Sequence, residues 1–93
     1  MTDPLAALRS EIDTIDNQIV ALLAARMTTA HHVAAVKREL GIPVVIPERI
    51  AKVIDRCAGL GAEAGLDPGY LRRLYQTIID ETCRIELELL GTP

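Results

Sequence analysis

Three observations predict an all-α fold of three helices, one of them very long. The apolar residues Leu5, Leu8, Ile12, Ile15, Ile19 and Leu22 step by 3, 4, 3, 4 and 3, a heptad seam of the kind that packs against other helices. Asp3-Pro4 and Asp67-Pro68 each join a capping carboxylate to a proline suited to the first helical position. No apolar/polar alternation in the 93 residues is long enough to mark a strand.

The first helix is predicted from Pro4 to Leu40, because nothing between Leu5 and Leu40 breaks it and Gly41 with Pro43 supplies the stop. At 1.5 Å per residue it reaches about 55 Å, more than the rest of the chain can cover. The seam position after Leu22 is Arg26, and the apolar run resumes at Val33 and Val36. A buried charge without a partner is costly, so Arg26 is expected to face an anionic ligand or a buried acid. Fixing the register of a helix pair is the competing explanation for a polar seam residue.

Pro43 to Ile46 forms an apolar connector whose prolines forbid helix before Pro47. Pro47 opens the second helix, with Ile50, Val53, Ile54, Cys57 and Leu60 as its apolar side, fading through Gly59, Gly61 and Gly65. The third helix starts at Asp67-Pro68 and runs to about Leu90, before Gly91. Its seam is Leu71, Leu74, Ile78, Thr82, Ile85 and Leu89, with Thr82 the polar exception and Glu86 one turn on along the same face. One small domain spans residues 1–93. A monomer would leave the long stripe unpaired, and a homodimer with the long helices side by side resolves this.

Composition narrows the partners. Without Phe or Trp and with only two Tyr, packing falls to Ala, Leu, Ile and Val, which suits close helix contact. The net charge of -3 argues against nucleic acid or an anionic membrane surface as the main partner, so any anion must be caught locally. Cys57 and Cys83 lack CxxC spacing, and no stretch reads as a signal anchor or membrane span, so the chain reads as cytoplasmic and reduced. His31 and His32 point about 100° apart on a helix and are read as solvated or partly packed imidazoles, not metal ligands.

Arg26 and Lys37 are eleven residues apart, which returns them to nearly one azimuth about 16 Å along the helix. Their heads could bracket a small dianion with Val33 as the floor between them. Arg9 lies about 25 Å back on another side and could join only from an antiparallel partner. Arg49 falls in the first turn of the second helix, where free N–H groups also favour an anion. Thr82 and Glu86 would complete the walls.

The runs LAALRSEIDTIDNQIVALLAARM, Lys37, GIPVVIPER and AGLDPGYLRRLYQTIIDE together resemble the all-helical class of chorismate mutases over almost the whole chain. The resemblance implies an intertwined six-helix homodimer with two active sites, and a Claisen rearrangement of chorismate to prephenate without cofactor or metal. It implies carboxylate binding by Arg26 and by Arg9 donated across the dimer, and a catalytic lysine, Lys37, at the ether oxygen. Arg49 matches an arginine at the start of the second helix, Val33 and Ile79 match apolar walls, and Thr82 stands where a small hydroxyl residue is usual.

Two departures bear on the substrate. Glu86 stands where many members carry a glutamine that donates to the ether oxygen, and a carboxylate donates only when protonated. On chorismate, activity is therefore expected to rise toward acid pH. Ile46 and Ile50 replace acids that contact the ring hydroxyl. Pro47-Glu48-Arg49-Ile50 resembles a run of isochorismate pyruvate lyase, while Cys83-Arg84-Ile85-Glu86 and GIPVV resemble the mutases acting on 4-amino-4-deoxychorismate. For that amino substrate an ionised Glu86 would attract the ring ammonium. The expected ligand is a chorismate-class dicarboxylate; a catalytically silent helical dimer is the remaining alternative.

Overall fold

The computed structural model describes residues 3–91, which form three α-helices and no strand: α1 (Ala6–Leu40), α2 (Pro47–Glu63) and α3 (Pro68–Leu90). α1 begins two residues later than the proline led us to expect. Asp3 still organises the start, its Oδ1 accepting from the Leu5 N–H at 2.9 Å and its carbonyl from the Ala6 N–H at 3.1 Å. Those contacts close a turn through Pro4 and Leu5 before the helix proper. At the other end Gly41 is left-handed, with φ 70°, a conformation that glycine adopts without a Cβ penalty. Asp67 caps α3 as its sequence predicts, accepting from the Tyr70 N–H at 3.1 Å.

α3 packs against both other helices, whose backbones do not approach each other closely. Small residues make the approaches close: Ala30 and Ala34 are the buried residues of α1, and Ala34 is only 1% exposed. Where α2 meets α3, a Cβ on Gly61 would lie 2.5 Å from Leu71 Cγ, so the glycine is there for lack of space. The core is completed by Val44, Cys57, Ala58, Leu71 and Ile79.

Two expected faces are turned differently. On α3 the buried line runs Leu71, Ile79, Glu86, leaving Leu74 and Leu89 of the heptad seam exposed. On α2, Cys57 is buried and Leu60 exposed. Both helices pack against a neighbour within the chain, and the crossing rather than the strict heptad decides which residues face it.

Every residue from 6 to 25 is exposed, including Ile12, Ile15, Ile19 and Leu22, the last at 70%. The chain measures 61 × 25 × 18 Å with a radius of gyration of 17.1 Å, against about 12 Å for a compact domain of this length. Its accessible surface is 7045 Å², against about 5300 Å² for a compact monomer of this mass.

α1 is also long and apolar enough, by length and composition, to cross a membrane, with a mean hydropathy of 1.4 in its best 18-residue stretch. That corrects the expectation that no stretch approaches a span. A heptad seam built of Leu, Ile and Ala raises average hydropathy as a lipid-facing helix does. Charges at Arg9, Glu11, Asp13, Asp16, Arg26, Lys37, Arg38 and Glu39 punctuate the same helix.

Candidate active site

A cavity of about 510 Å³ opens where the C-terminal half of α1, the connector, the start of α2 and the second half of α3 converge. α1 contributes Arg26, Thr29, Ala30, Val33 and Lys37, whose spacings of three and four residues keep them on one face. The connector adds Val44 and Ile46, and α2 adds Arg49, Ile50 and Val53. From α3 come Ile79, Thr82, Cys83 and Glu86, again one helical face. Of the residues singled out in the sequence, Arg26, Val33, Lys37, Ile46, Arg49, Ile50, Ile79, Thr82 and Glu86 all line this space.

Arg9 does not. It lies on the exposed first turns of α1, its Nη1 3.1 Å from Asp3 Oδ2, about 25 Å along the helix from Arg26.

The two principal cations are held by different means. Arg26 Nη1 donates to Thr82 Oγ1 at 2.8 Å, and that hydroxyl donates to the Ile78 carbonyl at 2.9 Å. The hydroxyl proton is thus committed to the helix backbone, which turns its lone pair toward the guanidinium. One of the five Arg26 donors is used in this way. Lys37 Nζ donates to the Val44 carbonyl at 2.9 Å and lies 2.9 Å from Glu86 Oε1.

Glu86 is the one buried charged residue among those described, at 4% exposure. Its contact with Lys37 is an ion pair: the angles fall outside hydrogen-bond geometry, and Oε1 has no other donor. The lysine beside it has only donors to offer, so the carboxyl group faces a cation. Arg49 is exposed at the cavity rim in the first turn of α2, where Glu48 precedes it.

Cys83 faces the same space, and burial together with the neighbouring Glu86 charge pushes its thiol above the ordinary range. Both cysteines are free. Among the described residues no three His, Cys, Asp or Glu side chains gather as metal ligands, and His31 and His32 are exposed.

The sequence reading missed Ala25, Thr29, Ala30, Val44, Val53 and Cys83. Thr29, Ala30 and Cys83 sit at helical spacing between residues already chosen, so completing each face would have found them. Val44 contributes a backbone carbonyl, for which side-chain chemistry gives no sign.

The chemical capacity of the site is that of an anion receptor with an apolar floor. Three cations from one chain surround a cavity large enough for a small-molecule ligand, and none of its side chains is arranged as a nucleophile and base pair.

The profile of the chorismate mutase type II family matches residues 8–87 of the chain. The 4-amino-4-deoxychorismate mutase of Streptomyces pristinaespiralis is 40% identical over 91 residues, covering 98% of this chain and 70% of that protein. The protein of the same description from Streptomyces venezuelae is 37% identical, covering 88% and 80% respectively. The chorismate mutase of Methanocaldococcus jannaschii is 36% identical, covering 97% and 91%.

Proposed function

The chain belongs to the chorismate mutase type II family of isomerases, and from that premise we propose that it catalyses a cofactor-free Claisen rearrangement of a chorismate-class dicarboxylate. The observation that carries the reading is the convergence of Arg26, Lys37 and Arg49 on one cavity. A unimolecular pericyclic step needs neither nucleophile nor general base. Catalysis then consists of holding the flexible substrate in its reactive chair-like shape and favouring the charge that develops on the breaking ether oxygen. Arg26, steadied by Thr82, binds one carboxylate. Arg49 closes the rim, Val33 and Ile79 form the apolar walls, and Lys37 supplies positive charge at the ether oxygen.

The working unit is a single-domain chain paired as an intertwined homodimer in the cytoplasm, with Arg9 of each protomer completing the other's site. Support comes from the exposed apolar stripe and from the surface in excess of a compact monomer. The seam is also self-complementary. Reversing α1 about a point between Val20 and Ala21 sets Leu5 against Val36, Leu8 against Val33, Ile12 against Thr29, Ile15 against Arg26 and Ile19 against Leu22. In that register the partner's Arg9 falls opposite His32, beside Val33 on the cavity wall.

Between substrates, the 4-amino-4-deoxy compound is favoured. Ile46 and Ile50 line the cavity without an acceptor for a ring hydroxyl, and Glu86 places a negative charge in the wall that attracts a ring ammonium. The names of the two Streptomyces relatives agree with this. Chorismate itself is the second reading, favoured by the archaeal relative. The lyase and silent-module alternatives gain no support from these observations.

The test is a parallel assay of the purified protein on chorismate, 4-amino-4-deoxychorismate and isochorismate, with products identified by mass. Rearranged amino product is expected to form fastest, and Glu86→Gln should harm that reaction more than the reaction of chorismate. Salicylate with pyruvate, or turnover of none of the three, would overturn the assignment.

A further inference from the structure

The connector between α1 and α2 grips Lys37 by both its backbone and its side chain. The Lys37 carbonyl accepts from the Gly41 N–H and, at 2.8 Å, from the Ile42 N–H, the double closure that ends a helix on a left-handed glycine. Two residues further on the chain has turned back, so that the carbonyl of buried Val44 accepts from Lys37 Nζ at 2.9 Å. From the opposite wall, α3 brings Glu86 Oε1 to 2.9 Å from the same nitrogen. The lysine side chain is only 14% exposed and the glutamate 5%, so water competes little for either contact.

An ammonium has three N–H donors and no acceptor. We infer that the Val44 carbonyl, which accepts one Lys37 N–H, and the Glu86 carboxylate, which holds the ammonium by charge, act as a two-point clamp that fixes the head and leaves donor capacity facing the cavity. A free lysine head samples many rotamers on a flexible four-carbon stem. Held from the connector on one side and from α3 on the other, the head is kept in one place, which is the preorganisation that electrostatic stabilisation of a developing charge requires. Val44 and, in this capacity, Glu86 are positioning residues: they act through Lys37. The connector is then part of the catalytic apparatus and not merely a link, and Gly41 belongs to it because its φ of 70° sets the return of the chain. This rests on the reaction assigned above only for its consequence in rate; the clamp itself is a property of the ligand-free protein.

Both parts are measurable. Proton–nitrogen spectra of ¹⁵N-lysine-labelled protein should show one ammonium protected from exchange with water, assigned to Lys37 by its loss in Lys37→Arg. The resonance should vanish in Glu86→Ala, which removes the anchoring carboxylate. Replacing the Val44–Val45 peptide bond by an ester, through the hydroxy acid analogue of valine at position 45, weakens the Val44 carbonyl as an acceptor without altering a side chain. The ester protein should exchange its Lys37 protons faster and lose about tenfold in kcat with KM changed by less than about twofold, because orientation and not binding is impaired. A wild-type protein without a protected lysine ammonium would overturn the clamp, as would an ester protein with unchanged exchange and unchanged kcat. A protein inactive on all three substrates but with the resonance behaving as described would sink the assigned reaction and leave the clamp supported.

Discussion

The two halves of α1 share one seam and have opposite environments. From Arg26 to Leu40 the helix lies against α3, buries Ala30 and Ala34, and supplies one wall of the cavity. From residue 6 to residue 25 it is exposed throughout, although it carries the larger and more regular apolar side chains. Small residues thus mark the half that packs within the chain, where backbones approach closely, and large aliphatic residues mark the half that the chain leaves exposed. Polar interruptions follow the same division: Arg26 and Lys37 sit in the covered half, where Thr82, Val44 and Glu86 meet them.

The sharpest way to break the comparison is Ile19→Glu, at the centre of the exposed seam. In the dimer it sets charge into an apolar interface from both protomers. Sedimentation at micromolar concentration should find monomer, and kcat/KM should fall by at least about a thousandfold, since an unpaired buried charge costs several kcal/mol. Unchanged association would assign the exposed half to some other purpose.

Arg26→Ala acts in the covered half. It should lower kcat/KM by about a hundred- to a thousandfold, the scale for losing one preorganised donor, while sedimentation still finds the dimer.

The two halves are joined by mixing chains. Arg9→Ala and Arg26→Ala proteins, each nearly inactive alone, should recover about a quarter of wild-type activity when co-refolded in equal amounts. Half of the dimers are then mixed and each mixed dimer keeps one intact site. No recovery would mean that Arg9 and Arg26 serve the same protomer or that Arg9 serves none.

Gly61→Ala tests packing away from the cavity. The added methyl meets Leu71 and should cost about 1–3 kcal/mol, read as a fall in Tm, with kcat at 25 °C nearly unchanged.

The smallest effect concerns Cys83. Burial first, and the Glu86 charge next, raise its thiol, so less thiolate is present at any pH below the raised value and the nucleophile is depleted. Alkylation by iodoacetamide at pH 8 should be slower than for a cysteine peptide, and Glu86→Gln, by removing the negative charge, should speed it.

Much of this was legible in the residues. The starts of α2 and α3 follow from Pro47 and from Asp67-Pro68, and the end of α1 from Gly41, because caps and prolines act within one turn of where they stand. Arg26 stood out as a cation in an apolar line, and Lys37 by its common azimuth. Within the chain, Leu74 and Leu89 of the α3 seam stay exposed, because α3 packs against two neighbours and turns Leu71, Ile79 and Glu86 toward them instead. Val44 escaped notice because its contribution is a carbonyl that every residue possesses.

The sequence by itself determined three helices, the reach of the longest, the apolar seam along it, and the cations that interrupt that seam or share its azimuth. Periodicity, capping and charge are properties of neighbouring residues, and they survive without knowledge of the fold. Only the tertiary structure decided that Arg26 would meet a hydroxyl 56 residues away, and that Lys37 would be shared between a connector carbonyl and a buried carboxylate on α3. It also decided that Arg9 would lie far from the cavity of its own chain. Those pairings depend on how one helix crosses another, and a shift of one residue in that crossing would exchange every partner while leaving each helix's own pattern intact.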